Sequence, residues 1–156
     1  MADDSFARAT AAITRLICEY AERIDSGNLE GVADLLEDAG FGEGTGGLLH
    51  GRDDILAIYK KTVRIYDDGT PCTKHLVSNI TIHVDDEFTT ATARSYWTVL
   101  QAVPGSPPVV ILSGRYADRF VNWDSKWRFS ERRITTDLFG DTSGHMLPGG
   151  PSLEPR

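Results

Sequence analysis

The sequence has no long hydrophobic run; its longest purely aliphatic stretch is Val109 to Leu112. A helix crossing a bilayer needs about 20 apolar residues, so a membrane-spanning role is not expected. Basic excess is missing too. There are 16 Lys and Arg against 23 Asp and Glu, a formal charge of -7, and no run of like charge is longer than Asp85-Asp86-Glu87. Nucleic acid and anionic membrane both call for basic patches, so neither is expected as a partner. Cysteine is reduced to Cys18 and Cys72, whose spacing fits no metal or redox motif and predicts reduced thiols. His50, His75, His83 and His145 form no HxH or HExxH pattern, so neither a metal nor another cofactor is predicted. Ser113 and Ser130 lack a nucleophile-elbow context, which argues against a serine hydrolase. The opening Met1-Ala2-Asp3-Asp4 has neither the basic nor the apolar region of a secretory leader, and the expected location is cytoplasmic. No internal repeat is visible.

What is present suits one domain with one core: 156 residues, 40% hydrophobic and 25% charged. From about Ser5 to Asp25, Phe6, Ile13, Ile17, Tyr20 and Ile24 recur at helical spacing and predict an amphipathic helix. Gly27 in Asp25-Ser26-Gly27-Asn28 suits a left-handed helix end. A shorter helix is predicted from Leu29 to Glu37. The glycine-rich Gly40 to Gly47 lacks the preceding strand and following helix of a phosphate-binding loop, and reads as a mobile loop or a ragged first strand. A third helix follows, with Asp53 as its expected N-cap and a stripe of Ile55, Ile58, Tyr59, Thr62, Ile65 and Tyr66.

The period then switches to two. Lys74–Val84, Thr89–Val103, Val109–Val121 and Lys126–Asp137 are predicted strands joined by short turn-rich links, hence an antiparallel meander. Helices followed by strands predict an α+β fold, with helices on one face of a curved antiparallel sheet. The domain is expected to span 1–139. Residues 140–156, rich in Gly and Pro, read as a loop or disordered tail dispensable for folding.

The order of several phrases resembles the SnoaL-like branch of the nuclear transport factor two-like superfamily. They are Tyr20-Ala21-Glu22-Arg23-Ile24-Asp25-Ser26-Gly27-Asn28, Gly51-Arg52-Asp53-Asp54-Ile55 and Thr73-Lys74-His75-Leu76-Val77-Ser78-Asn79. Gly114-Arg115-Tyr116-Ala117-Asp118-Arg119-Phe120 and Trp127-Arg128-Phe129 follow, before Arg132-Arg133-Ile134. The resemblance implies a cone-shaped sheet wrapped round the N-terminal helices, with an internal pocket for a small hydrophobic or cyclic molecule. In the dehydratases and dehydrochlorinases of that branch an aspartate follows the first helix and a histidine opens a strand; Asp25 and His75 match those positions. The dehydratases also have a tyrosine before the aspartate, where Ile24 stands here. Their second pocket histidine lies near Gly114-Arg115-Tyr116, which contains none.

The candidate catalytic pair is therefore Asp25 and His75. A carboxylate bonded to one ring nitrogen fixes the tautomer and supports an imidazolium formed at the other. As residues alone, Asp25 also fits a turn and His75 a structural strand end. Strict alternation groups His75 with Val77, Asn79, Thr81 and His83, opposite Ile80, Ile82 and Val84. Both sets can face one core only if a bulge or change of face intervenes near Ser78. Tyr20, Tyr59 and Tyr96 are candidate ligand contacts or core tyrosines. Arg94 and Arg115 are exposed strand residues or, facing inward, holders of an anionic oxygen. Two functions follow: a cofactor-independent lyase or isomerase working by proton abstraction, and a non-catalytic small-molecule binding protein. No Asp-Arg-Asp set supports an epoxide hydrolase. The apolar strand residues Trp97, Val99, Val109, Ile111 and Phe120 suggest a homodimer or higher homo-oligomer through the outer sheet face.

Overall fold

The structure is a computed structural model that describes residues 2–148. Helix α1 (Ala2–Asp25) buries Ile13, Ile17, Tyr20 and Ile24 as one stripe. Each such side chain contributes about 1.5–3 kcal/mol relative to exposure. Phe6 does not join the stripe and is 46% exposed; Ala9 is the first buried position. Gly27 ends the helix with φ +74°, and a Cβ there would lie 1.9 Å from the Gly69 carbonyl oxygen. Only a glycine lets the turn before β3 come that close to the end of α1.

Helix α2 (Leu29–Leu35) is capped by Asn28, whose side-chain oxygen accepts the Gly31 N–H at 2.9 Å. Then come β1 (Gly40–Glu43) and β2 (Leu49–His50), so the glycine-rich stretch is a short strand and its turn. Helix α3 (Arg52–Thr62) has Gly51 at its N-cap without a side-chain cap, which corrects the expectation for Asp53. Asp53 lies within the first turn, where with Asp54 it complements the positive end of the helix dipole. The helix stops at Thr62, leaving Ile65 and Tyr66 beyond it.

Strands β3 (Thr73–Val84), β4 (Thr90–Gln101), β5 (Val109–Trp123) and β6 (Lys126–Phe139) form the antiparallel meander. The curved, unclosed sheet has six strands in the order β2-β1-β6-β5-β4-β3. It is mixed because β1 runs parallel to β6, with Gly40 opposite Glu131. Thus the fold is α+β, with three helices against the inner face. No described helix is long and apolar enough to cross a membrane.

The conflict in β3 resolves at one residue. The register with β4 shifts between Ser78 and Thr81, and Asn79 has φ +53°. This extra residue reverses the parity, so Val77 before it and Ile80, Ile82 and Val84 after it all pack on the core. Asparagine tolerates this backbone region better than other non-glycine residues. Asn79→Gly should therefore leave stability within about 0.5 kcal/mol, whereas Asn79→Val should cost about 1–3 kcal/mol. Urea midpoints would check this; equal midpoints for the two variants would mean that the bulge does not constrain the strand.

Two sequence expectations change here. Trp97, Val99, Ile111 and Phe120 are buried inward, and of the residues that suggested an outer interface only Val109 is exposed. The segment after β6 is not a free tail as far as residue 148. Tyr66 and Gln101 both donate side-chain hydrogen bonds to the Gly144 carbonyl, and the Leu147 N–H bonds to the Thr62 carbonyl at 2.9 Å. Met146 bridges to Val63. The remainder of the expected tail, residues 149–156, lies outside the described residues.

Candidate active site

The C-terminus of α1 is an unfavourable place for a carboxylate, because the helix dipole is negative there. Asp25 is nevertheless its last residue, and its position is explained by the hydrogen bonds it accepts. β3 is an edge strand, with N–H groups that have no strand partner on one side. Asp25 Oδ2 accepts the backbone N–H of His75 at 2.7 Å. Asp25 Oδ1 accepts the Thr73 hydroxyl at 2.8 Å and lies 2.7 Å from His75 Nδ1. Both side chains are more than nine-tenths buried, at 8% exposure for His75 and 9% for Asp25. Burial alone would raise the Asp25 carboxyl; the His75 ring, its charge and N–H, and Thr73 outweigh it and hold Asp25 below the usual carboxylate range. Asp25 is thus ionised at neutral pH, and a neutral His75 carries its proton on Nδ1 toward it, leaving Nε2 unprotonated.

His75 lines a cavity of about 350 Å³. Its walls are mainly apolar: Ile24, Phe41, Leu49, Ile58, Val99, Leu112 and Ile134 among them. Tyr20 and Tyr59 line it as well, with their hydroxyls hydrogen-bonded to each other. Burial raises both phenols, so they remain protonated. Trp97 stacks on Tyr116 at 5.8 Å between ring centroids, and both border the cavity.

Of the sequence candidates, Asp25, His75, Tyr20 and Tyr59 come together here. Arg94, Tyr96 and Arg115 do not. They lie on the opposite face of the sheet, where Tyr96 is 52% exposed and Arg115 pairs with Asp137 at 2.8 Å. Their neighbours Ala93, Ser95, Trp97 and Tyr116 take the inner face.

Two features were missed from sequence. Asp118 and Arg132 form a fully buried bidentate pair at 2.8 and 2.7 Å, with the guanidinium 4.1 Å from the Tyr20 ring centroid and 4.0 Å from that of Tyr116. A signal for Asp118 existed, since it alternates in step with Tyr116 and Phe120. Arg132 had none, because a register shift between Arg119 and Phe120 changes the parity of β6 relative to β5. The second feature is His145, 7% exposed and part of the cavity wall. Nothing in its Gly- and Pro-rich surroundings marked it.

Desolvation, reinforced by the charge of His75 and opposed by that of Asp25, pushes the His145 imidazole down to about 4 from its ordinary 6.5. The unfolded chain therefore binds a proton between those values that the folded chain does not, and folding stability falls as pH drops from 6.5 toward 4. At 1.36 kcal/mol per pKa unit the loss is on the order of 3 kcal/mol. Melting temperature against pH should show this slope in the wild type and a flatter one in His145→Leu. Identical slopes would assign the acid sensitivity to other groups.

The comparisons agree with the fold. Rv3472 of Mycobacterium tuberculosis, a protein of unknown function, is 26% identical with a TM-score of 0.69, over 90% of this chain and 78% of that one. A candidate scytalone dehydratase from Novosphingobium aromaticivorans is 27% identical with a TM-score of 0.68, over 89% of this chain and 91% of that one. LinA shares the fold at 18% identity and a TM-score of 0.69, over 96% of each chain. No curated protein matches the chain. The SnoaL-like domain model matches residues 6–133, most of the length, and the chain belongs to the SnoaL-like domain family.

Proposed function

We propose that the cavity is the active site of a cofactor-independent lyase or isomerase acting on a small hydrophobic or cyclic substrate. The observation that carries this reading is the Asp25–His75 pair, buried at the wall of an apolar cavity with Nδ1 engaged and Nε2 left over. Nε2 takes a proton from an acidic C–H of the substrate. Asp25 stabilises the imidazolium that results. The electron pair left on carbon then expels a leaving group, which departs with the proton from His75, or the proton returns at another carbon. The first outcome is a lyase reaction and the second an isomerase reaction. The mainly apolar wall selects substrates by shape, and the Tyr20–Tyr59 hydroxyl pair offers the substrate a polar contact.

The test is a thermal-shift screen of small cyclic ketones and polycyclic phenols, followed by NMR of the hits in D2O for deuterium uptake at carbon or loss of a leaving group. Stabilisation by several hits with no exchange and no turnover would replace this reading by that of a non-catalytic binding protein.

Self-association belongs to the same proposal. Leu76, Tyr96, Val110 and Leu138 are each more than half exposed on the meander strands. Joined across a twofold axis, such patches would form an isologous dimer. Sedimentation equilibrium at micromolar concentration should give twice the chain mass; a monomer would reject the dimer and leave the chemistry untouched.

A further inference from the structure

Two rings of the cavity wall, those of His145 and Trp97, hold a buried nitrogen without a partner, and of the two only the imidazole can both donate and accept. The hydroxyls of Tyr20 and Tyr59 bond to each other, and His75 bonds to Asp25. The His145 ring makes no hydrogen bond to any described residue; its Nδ1 is sealed from the cavity as well as unpartnered, which leaves Nε2 as the ring nitrogen a ligand can reach. A buried polar group left unsatisfied costs about 1–3 kcal/mol, so its presence calls for an explanation. The backbone that carries it is, by contrast, firmly tied. Its N–H bonds to the Thr142 carbonyl at 2.9 Å, and its carbonyl accepts the Arg64 N–H at 2.8 Å. Gly144 before it is held by Tyr66 and Gln101, and Met146 after it bridges to Val63. The segment places an imidazole at the cavity and gives it nothing to bond.

We propose that His145 is a substrate-contacting residue whose Nε2–H binds a carbonyl oxygen of the ligand, so that the site takes ketones whose carbonyl lies beside the C–H attacked by His75. The proposal rests on the reading of the cavity as a site of proton abstraction. In that step the proton passes to His75 Nε2, the C–H electron pair forms the new C=C bond, and the carbonyl π pair moves to oxygen as an enolate. A donor aimed at that oxygen gains strength as the charge develops. Burial keeps the His145 ring neutral at pH 7, a state in which it donates without itself carrying a charge.

The probe is 1-tetralone, compared with the hydrocarbon tetralin, which has the same ring skeleton without the carbonyl. Calorimetry should show the wild type binding the ketone about tenfold more tightly, the worth of one good hydrogen bond. His145→Leu should bind the two within about twofold of each other. His145→Asn, which keeps an N–H donor, should recover part of the preference, and His75→Ala should retain it. Deuterium uptake at the carbon beside the carbonyl should fall at least tenfold in His145→Leu. A wild type without ketone preference, whether both probes bind equally or neither binds, overturns the proposal, and so does a preference that survives His145→Leu. Should the leucine variant fail to fold, the 15N signals of the His145 ring in the wild type decide: they should shift with 1-tetralone and not with tetralin, and unmoved signals overturn the proposal. The two readings fail separately. Exchange that is indifferent to His145 keeps the base and removes this contact. A His145-dependent preference without any exchange keeps the contact and removes the base.

Discussion

Asp25→Asn and His75→Ala should each lower proton abstraction from a substrate of the cavity by about 10²–10⁴-fold, and the double replacement should lower it little further. His75→Ala removes the proposed base. Asp25→Asn keeps the shape but loses the charge that fixes the tautomer and stabilises the imidazolium. The structure also says what the substitution does to folding. Removing a buried charge is in general often neutral or even stabilising. The geometry indicates otherwise. Both carboxylate oxygens accept hydrogen bonds, three in all, from the Thr73 hydroxyl and from the ring and backbone of His75. An asparagine must turn its NH2 toward at least one of those donors, at a cost of about 1–3 kcal/mol. Relief of an unfavourable charge at the helix C-terminus returns about 0.3–1 kcal/mol. The expected variant is thus folded, modestly destabilised and catalytically poor. Rates of deuterium exchange and urea midpoints, measured on the single and double variants, separate the effects. Additive rate losses would mean that the two residues do not act as one unit.

The largest expected effect on stability lies away from the base. Asp118→Leu or Arg132→Met should each cost about 3–5 kcal/mol, since either leaves an unpaired charge in a dry interior. Asp118 and Arg132 side chains are both 0% exposed. Against a typical domain stability of about 5–15 kcal/mol, such a loss is severe. Replacing both, as Asp118→Leu with Arg132→Met, should cost less than either single change, because no charge is then stranded. The pair reaches the cavity through Tyr20. The guanidinium lies over the ring of that tyrosine, whose hydroxyl meets Tyr59 at the cavity wall. Denaturant titration of the three variants forms a double-mutant cycle; singles that add up to the double would show no coupling.

Asp25 and His75 were legible as candidates through the family resemblance carried by the turn after α1 and the opening of β3; by themselves the two residues also fitted a turn and a strand end. The bulge was legible as a contradiction: two apolar sets of opposite parity in one strand require an extra residue between them, and Asn79 is that residue. The arginines and Tyr96 were misplaced because alternation gives two faces without saying which is inside. On β4 the inner face carries Ala91, Ala93 and Ser95, so small that the outward Tyr96 looked the better core residue. His145 was invisible for a different reason. Its burial depends on Tyr66, Gln101 and Arg64, all more than 40 residues earlier in sequence. No local pattern encodes such docking.

The docking of residues 140–148 has a consequence for the order in which the molecule can be made. A ribosome delivers α1 and β3 early, and with them Asp25 and His75. The cavity that they serve is finished late. Its Phe41 edge belongs to β1, which stays unpaired along its length with the sheet until β6 exists, and its His145 wall follows only after β6. Pairings this distant along the chain are slow to close. The Asp25–His75 pair is therefore synthesised well before the last of the walls that enclose it.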